Sequence, residues 1–187
     1  MSLSIAIQSE IQMQYPDKEL VEMAQADPSK FELIYNKYFE DIVRFVYQRL
    51  DHKHQAGDIA QLTFIKAMKA IPRYQYKGIP LKSWLFRIAI NELNQFFRKN
   101  KQQQAINIKT EALPEMFEEA EDTSELEELL YKLGNALQKL KKEQYELINM
   151  RFFEKRSFRE IGEILNITEA NAKMKTHRVI KKLRTLF

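Results

Sequence analysis

The sequence predicts an all-α fold: two small helical domains joined by a flexible acidic linker, the C-terminal one a helix-turn-helix. Three observations predict it. The 187 residues contain only 4 Gly and 5 Pro, too few for the tight turns of a β-rich chain. Apolar residues recur at helical spacing over long stretches. The charge also changes sign twice along the chain. Residues 1–110 carry 16 Lys/Arg against 11 Asp/Glu, residues 111–128 carry 9 acids and no base, and residues 129–187 carry 14 bases against 6 acids. Two basic blocks around an acidic strip fit polyanion contact at both ends and a different environment between them. Two solvated surfaces and a solvated spacer fit the charge pattern equally well.

Composition also removes function classes. With 0 Cys there is no disulfide, thiolate metal site or Cys nucleophile. No apolar run approaches the roughly 20 residues that span a bilayer, and no charged-then-apolar leader opens the chain. The expectation is a soluble, cytoplasmic protein with no membrane insertion. His52 and His54 share a polar stretch and His177 lies far away, so no His/carboxylate group has metal spacing. There is no Gly-rich phosphate loop and no nucleophile elbow. Neither catalysis, nor a metal, nor a cofactor is expected.

The elements follow in order. Residues 1–14 show no periodicity and read as a tail. Pro16-Asp17 starts a short helix through Ala26 with Leu20, Val21 and Ala24 on one face. Asp27-Pro28 starts the next, Asp as N-cap and Pro at the first helical position. Phe31, Ile34, Tyr35, Tyr38, Phe39, Ile42, Val43, Val46 and Leu50 then form a helical stripe that reads as core. After a polar break at 51–57, a helix from about Ala56 to Ile71 turns Phe64, Met68 and Ile71 inward. Pro72–Pro80 is a loop. A helix from Leu81 to about Lys99 has Leu81, Trp84, Leu85, Ile88 and Ala89 on its inner face. Residues 102–123 accumulate Gln, Glu and Pro114 and read as the linker, placing the domains at 15–101 and 124–187. Ser124-Glu125-Leu126-Glu127 is a capping box, followed by a stripe of Leu126, Leu129, Leu130, Leu133, Leu137 and Leu140. A helix over Lys142–Phe153 comes next.

The last 31 residues carry the clearest functional pattern. Ser157-Phe158-Arg159-Glu160 is a second capping box opening a short helix with Ile161, Ile164 and Leu165 inward. Asn166-Ile167-Thr168 is a tight turn, with Thr168 capping the final helix. There Ala172, Thr176, Val179 and Leu183 form the buried stripe. The opposite face holds Ala170, Met174, His177, Arg178 and Lys181, flanked by Asn171 and Lys173. A short helix pair whose second member is basic on its outer face suits a reader of the DNA major groove, which is about 12 Å wide and admits one helix. A basic amphipathic helix in an ordinary bundle has the same pattern.

Three motifs resemble those of bacterial RNA polymerase sigma factors. Ser157-Phe-Arg-Glu-Ile-Gly-Glu-Ile-Leu resembles the family's Ser-x-x-Glu-Ile-Ala-x-x-Leu run ahead of its recognition helix. Ala56-Gly-Asp58-Ile-Ala-Gln61-Leu-Thr-Phe64 resembles its Ala-x-Asp-x-x-Gln-x-x-Phe motif. Trp84-Leu-Phe-Arg-Ile-Ala-Ile-Asn91 resembles its Trp-Leu-x-x-Ile-Ala-x-Asn motif, and Arg98-Lys99 its basic ending. The order of the motifs over residues 20–187, with no further domain, is similar to the extracytoplasmic function (ECF) type. The resemblance implies a protein that binds core RNA polymerase (β′ clamp and β subunits), directs it to promoter DNA and helps melt it. It also implies an anti-sigma factor as a partner.

Site residues follow from the same resemblance. Asp58 and Gln61 would meet the polymerase clamp. Arg73, Tyr74, Tyr76, Lys77, Lys82, Asn91 and Arg98 would hold the single-stranded minus-ten element, since rings stack on bases while cations meet phosphates. Glu169, Asn171, Lys173, Met174, His177, Arg178 and Lys181 would read the duplex minus-thirty-five element. The chain departs from the family at Glu169-Ala170-Asn171-Ala172 (commonly Gly-Thr-Val), at Leu62 (often an acid) and at Gly162 (usually Ala), the last expected to loosen its helix. Stretched, residues 102–123 reach about 70–80 Å, enough for two elements two helical turns of DNA apart, some 70 Å. A stand-alone helix-turn-helix regulator would explain residues 124–187 but leave both motifs of the first domain without a role.

Overall fold

The structure is a computed structural model that describes residues 15–50, 52–100 and 123–186. All regular secondary structure among them is helical. The chain divides into two compact units, residues 1–103 and 104–187.

Unit 1 contains α1 (Asp17–Ala26), a 3₁₀ turn (Pro28–Lys30), α2 (Phe31–Leu50), α3 (Lys53–Ala70), a second 3₁₀ turn (Ile71–Arg73) and α4 (Leu81–Asn100). Asp27 caps the first turn by accepting a hydrogen bond from the Ser29 N–H (2.9 Å), with Pro28 just inside it. α2 packs against both α3 and α4. The core contains Leu20, Val21 and Ala24 from α1, Ile34, Ile42, Phe45 and Val46 from α2, Ala56, Ala60, Phe64 and Ala67 from α3, and Leu81, Leu85, Ala89 and Leu93 from α4.

The core of α2 is rotated from the stripe read in the sequence. Tyr35, Phe39 and Val43 are only half-buried, whereas Phe45 and Arg49 are buried. Arg49 is 1% exposed. It lies about five helical turns after Phe31, on the axis of the stripe, and its charge disguised it. Its Nη1 donates to the Phe45 carbonyl (2.9 Å) and its guanidinium lies 3.6 Å from the Phe45 ring centroid. Three other inward assignments are corrected. Met68 is 45% exposed, because Ala56, Ile59, Ala60, Thr63, Phe64 and Ala67 already form the buried side of α3. Trp84 and Ile88 are half-buried, while Phe86, Ile90 and Leu93 turn inward instead. α3 also starts at Lys53, three residues before the expected Ala56.

α1 is tied to the rest of unit 1 through Asp17. Its carboxylate accepts from the Tyr38 hydroxyl (2.5 Å) and the Lys37 ammonium (3.1 Å) on α2, and from the backbone N–H of Leu81, first residue of α4 (2.7 Å). A charged acceptor thus satisfies an otherwise orphaned donor at a helix start. Across the unit, the Lys66 ammonium of α3 donates to the buried Glu92 carboxylate of α4 (2.5 Å).

Unit 2 contains α5 (Thr123–Gln138), α6 (Lys142–Ile148), a π turn (Asn149–Phe153), α7 (Phe158–Leu165) and α8 (Glu169–Arg184). The single helix expected over Lys142–Phe153 is therefore α6 plus a π turn. The turn ends where Glu154 accepts from the Asn149 amide (2.8 Å) and from Arg156 Nε (2.6 Å). α5 starts at Thr123, so Ser124 lies inside its first turn, two residues later than a cap requires. The side chains of 123–130, the tail of 1–14 and linker residues 102–122 lie outside the described residues. Leu133 and Leu137 of the leucine stripe are buried, joined by Ala136, and Leu140 is half-buried.

Asp17 sets an acid-dependent stability. Burial pushes its carboxyl pKa up, but the hydrogen bonds from Tyr38, Leu81 and Lys37 and the Lys37 charge outweigh burial and hold it below the ordinary 3.8. The stabilisation is complete above that ordinary value and is lost as pH falls through the depressed folded value. Asp17→Asn is expected to lower the unfolding free energy of unit 1 by about 2 kcal/mol near neutral pH, with the gap to wild type closing below about pH 4. Urea titrations followed by fluorescence of Trp84, the only Trp, measure both effects.

Candidate nucleic-acid interface

The loop of unit 1 is held from both ends by α1. The Gln25 amide donates to the carbonyls of Ile71 (2.9 Å) and Tyr74 (2.7 Å), while Asp17 holds Leu81 where the loop becomes α4. Between these anchors, Gly78 takes φ 74°, a left-handed conformation that other residues seldom adopt. The Tyr74 ring packs on Trp84, centroids 4.4 Å apart with planes inclined by 40°. Burial pushes the Tyr74 hydroxyl pKa up, with a smaller push from Tyr76. Burial likewise lowers that of Arg87, partly offset by Tyr74.

Of the residues expected on the unpaired strand, Arg73, Tyr74, Tyr76, Lys77 and Lys82 gather at this end of the unit. Arg73 and Lys77 are exposed, while Tyr74 and Tyr76 are half-buried. Lys82 already pairs with Asp41 of α2 (2.6 Å) and lies 5.7 Å from the Phe86 ring centroid. Asn91 and Arg98 are exposed but lie farther along α4, about 15 and 25 Å from Leu81 at 1.5 Å per residue. They fall on one helical face with Trp84 and Arg87, at offsets 0, 3, 7 and 14. The structure thus joins the loop to a stripe along α4. Arg87 is missing from the residues expected for the site. Its spacing from Trp84 and Asn91 within the quoted motif was the signal for it.

On α3, Asp58 and Gln61 are both exposed. Leu62 (47% exposed) and Ile65 (45%) lie beside them, and the exposed Met68 extends the patch. Their offsets from Asp58 (3, 4 and 7 for Gln61, Leu62 and Ile65) put four of these residues on one face. An apolar strip headed by an acid and an amide is suited to docking another protein helix.

In unit 2 the sequence fixes the helix pair at its turn. The Ser157 Oγ accepts from the Glu160 N–H (3.2 Å) while the Glu160 carboxylate accepts from the Ser157 N–H (2.8 Å). Asn166 (φ 57°, ψ 46°) ends α7, and Thr168 Oγ1 accepts from the Asn171 N–H (3.2 Å) to start α8. The Ile167 N–H donates to the Gly162 carbonyl (2.9 Å). A Cβ at Gly162 would stand 2.7 Å from the Ile167 carbonyl oxygen and 3.3 Å from the Glu169 nitrogen. Gly162 therefore admits the close approach of the turn rather than loosening α7.

The four residues expected to be buried on α8, Ala172, Thr176, Val179 and Leu183, are the buried ones. Glu169, Lys173, Met174, His177, Arg178 and Lys181 are exposed and Asn171 is half-buried. The His177 ring leans toward Phe158 of α7 (6.5 Å), whose other neighbour is the Arg151 guanidinium (4.6 Å). Exposed Lys175 and Arg184 add charge to the same helix. No group of three or more metal-ligating side chains occurs among the described residues.

The Sigma-70 region 2 family matches residues 34–103 and the Sigma-70, region 4 family matches residues 136–185. The chain is similar to the ECF RNA polymerase sigma factor SigM of Bacillus subtilis, at 28% identity, covering 82% of this chain and 93% of the relative. It is 30% identical to the ECF RNA polymerase sigma factor SigW of the same organism, covering 89% and 94%. The fold is similar to that of CnrH, solved in complex with the cytosolic domain of CnrY, at a TM-score of 0.54 and 19% identity, covering 91% of this chain and 96% of that one.

The turn makes Gly162 a point of failure for unit 2. Gly162→Val is expected to destabilise the unit by about 2 kcal/mol through overpacking. Native-state hydrogen exchange should show protection lost in α7 and α8 and unchanged in α2–α4.

Proposed function

The chain belongs to the ECF RNA polymerase sigma factors, non-enzymatic initiation factors that direct RNA polymerase to promoters, and from that premise we propose how its two units divide the work. Residues 15–101 grip core polymerase and the unpaired minus-ten strand. Residues 124–187 read the minus-thirty-five duplex, and residues 102–123 tether the two.

The observation that carries this reading is the two-sided character of α8. One side is sealed against α7 and the rest of unit 2, and the other is exposed and cationic. That is the division a groove-reading helix requires, with base edges facing its outer centre and phosphates its flanks. In unit 1, Asp58, Gln61, Leu62 and Ile65 form the polymerase-facing patch. The loop of Arg73, Tyr74, Tyr76 and Lys77 takes an unpaired base, and the stripe of Arg87, Asn91 and Arg98 carries the strand along α4. Lys82 joins that site by exchanging Asp41 for a phosphate.

We place the protein in the cytoplasm, where polymerase works. No helix of the described residues is long and apolar enough to cross a membrane. An anti-sigma factor that covers these surfaces fits the family expectation, and CnrH binds a protein domain in its solved complex.

Core polymerase supplied with this chain is expected to initiate at a cognate promoter. Inactivity on every promoter of the source genome, with folded chain and active core, would contradict the proposal. Arg178→Ala should weaken binding of minus-thirty-five duplex about tenfold and reduce the slope of log affinity against log salt by about 1. Its affinity for core polymerase, measured by fluorescence anisotropy, should not change. Ile65→Glu should do the reverse, impairing core binding with duplex affinity preserved.

A further inference from the structure

We infer that Met174, with Ala170 behind it, reads the C5-methyl group of a thymine in the minus-thirty-five duplex. The inference rests on the proposed docking of α8 in the major groove. At 100° per residue, Ala170, Met174, His177 and Lys181 form the centre of the exposed face, with Lys173 on one side and Arg178 on the other. Cations on the flanks of a groove-bound helix meet the two phosphate strands, and the centre meets base edges. Base edges are normally read by hydrogen bonds, yet the first two turns of this centre hold no hydrogen-bonding side chain. Ala170 is exposed and Met174 is 45% exposed, while His177, whose ring lies 6.5 Å from that of Phe158, comes only in the third turn.

An apolar side chain set against a base edge loses free energy wherever it covers a donor or acceptor without replacing its water. The major groove offers one group free of that cost. The methyl of thymine is the largest and most protruding apolar group that a base pair presents there. The unbranched, polarizable Met side chain has the length and adaptability to cover it. Ala170, one turn earlier, leaves the space into which the thioether and its neighbouring base can settle. The exposed Met is therefore a specificity element, and it distinguishes this helix from one that reads its site through Arg or Asn alone.

The test uses holoenzyme assembled from core polymerase and the full chain, and a duplex library randomised over the minus-thirty-five region. In the enriched duplex each thymine is then replaced singly by deoxyuridine, which removes only the methyl group and leaves every hydrogen bond in place. One position should bind about fourfold more weakly, the effect of one methyl-sized apolar contact. Met174→Ala holoenzyme should bind thymine and deoxyuridine duplexes equally at that position. The substitution is on the exposed face, so folding and core affinity should match wild type. An enriched duplex with no methyl-sensitive position, or with discrimination kept by Met174→Ala, overturns this inference and leaves the sigma-factor reading intact. Loss of core affinity in Met174→Ala without loss of methyl discrimination would instead assign the side chain to a polymerase contact. No enriched duplex at all defeats the docking of α8 and this inference together.

Discussion

A carboxylate that holds the start of α4 governs how unit 1 can work. Asp17 joins α1 to α2 through Tyr38 and Lys37, and to α4 through the Leu81 N–H. Eight residues along α1, Gln25 fastens the other end of the same loop through Ile71 and Tyr74. The loop proposed to receive an unpaired base keeps its tyrosines half-buried and its cations exposed, so much of its geometry is imposed from outside. α1 does this with two polar side chains on backbone groups, which leaves Arg73 and Lys77 exposed. Positioning without burial is what a binding loop on a rigid scaffold requires.

Unit 2 meets the corresponding demand by steric means. The angle between α7 and α8 follows from two caps and one glycine: Ser157 and Thr168 start the helices, and Gly162 lets the turn backbone come within a distance that no Cβ tolerates. The buried stripe of α8 then fixes its rotation about its own axis, so the residues that face outward are decided by those that face inward. The exposed patch on α3, proposed above to face polymerase, has the same logic. Small residues with Ile59 and Phe64 fill the buried side, and Leu62, Ile65 and Met68 are left on the surface beside Asp58 and Gln61.

Helical periodicity made the elements and the helix pair legible. α8 is the strongest case, because its four inward residues are small or branched and the rest are polar, charged or plainly surplus to one narrow stripe. The misreadings came from residues whose chemistry and position disagree. Arg49 lies on the α2 axis but carries a charge, and only the facing Phe45 ring and carbonyl reveal how it is accommodated. Met68 and Trp84 are apolar but flank their stripes, and the helices already had enough small and branched residues to fill the core. Asp17 and Gln25 act on residues 46 to 64 positions away. Such contacts have no local pattern, so the brace on the loop could not be read from spacing. Lys82 reads in sequence as one of the loop's cations for the unpaired strand and is paired with Asp41 in the fold.

The central claim is that one unit handles an unpaired strand and the other a duplex. Photocrosslinking of holoenzyme on promoter DNA tests it most directly, with the probe placed in turn at Tyr76 and at His177. At position 76 the account predicts crosslinks to a single strand that appear only once the promoter becomes reactive to permanganate. At position 177 it predicts crosslinks to upstream duplex both before and after melting. Equal crosslinking of both positions to closed duplex, or crosslinks from 76 that do not depend on melting, would contradict it.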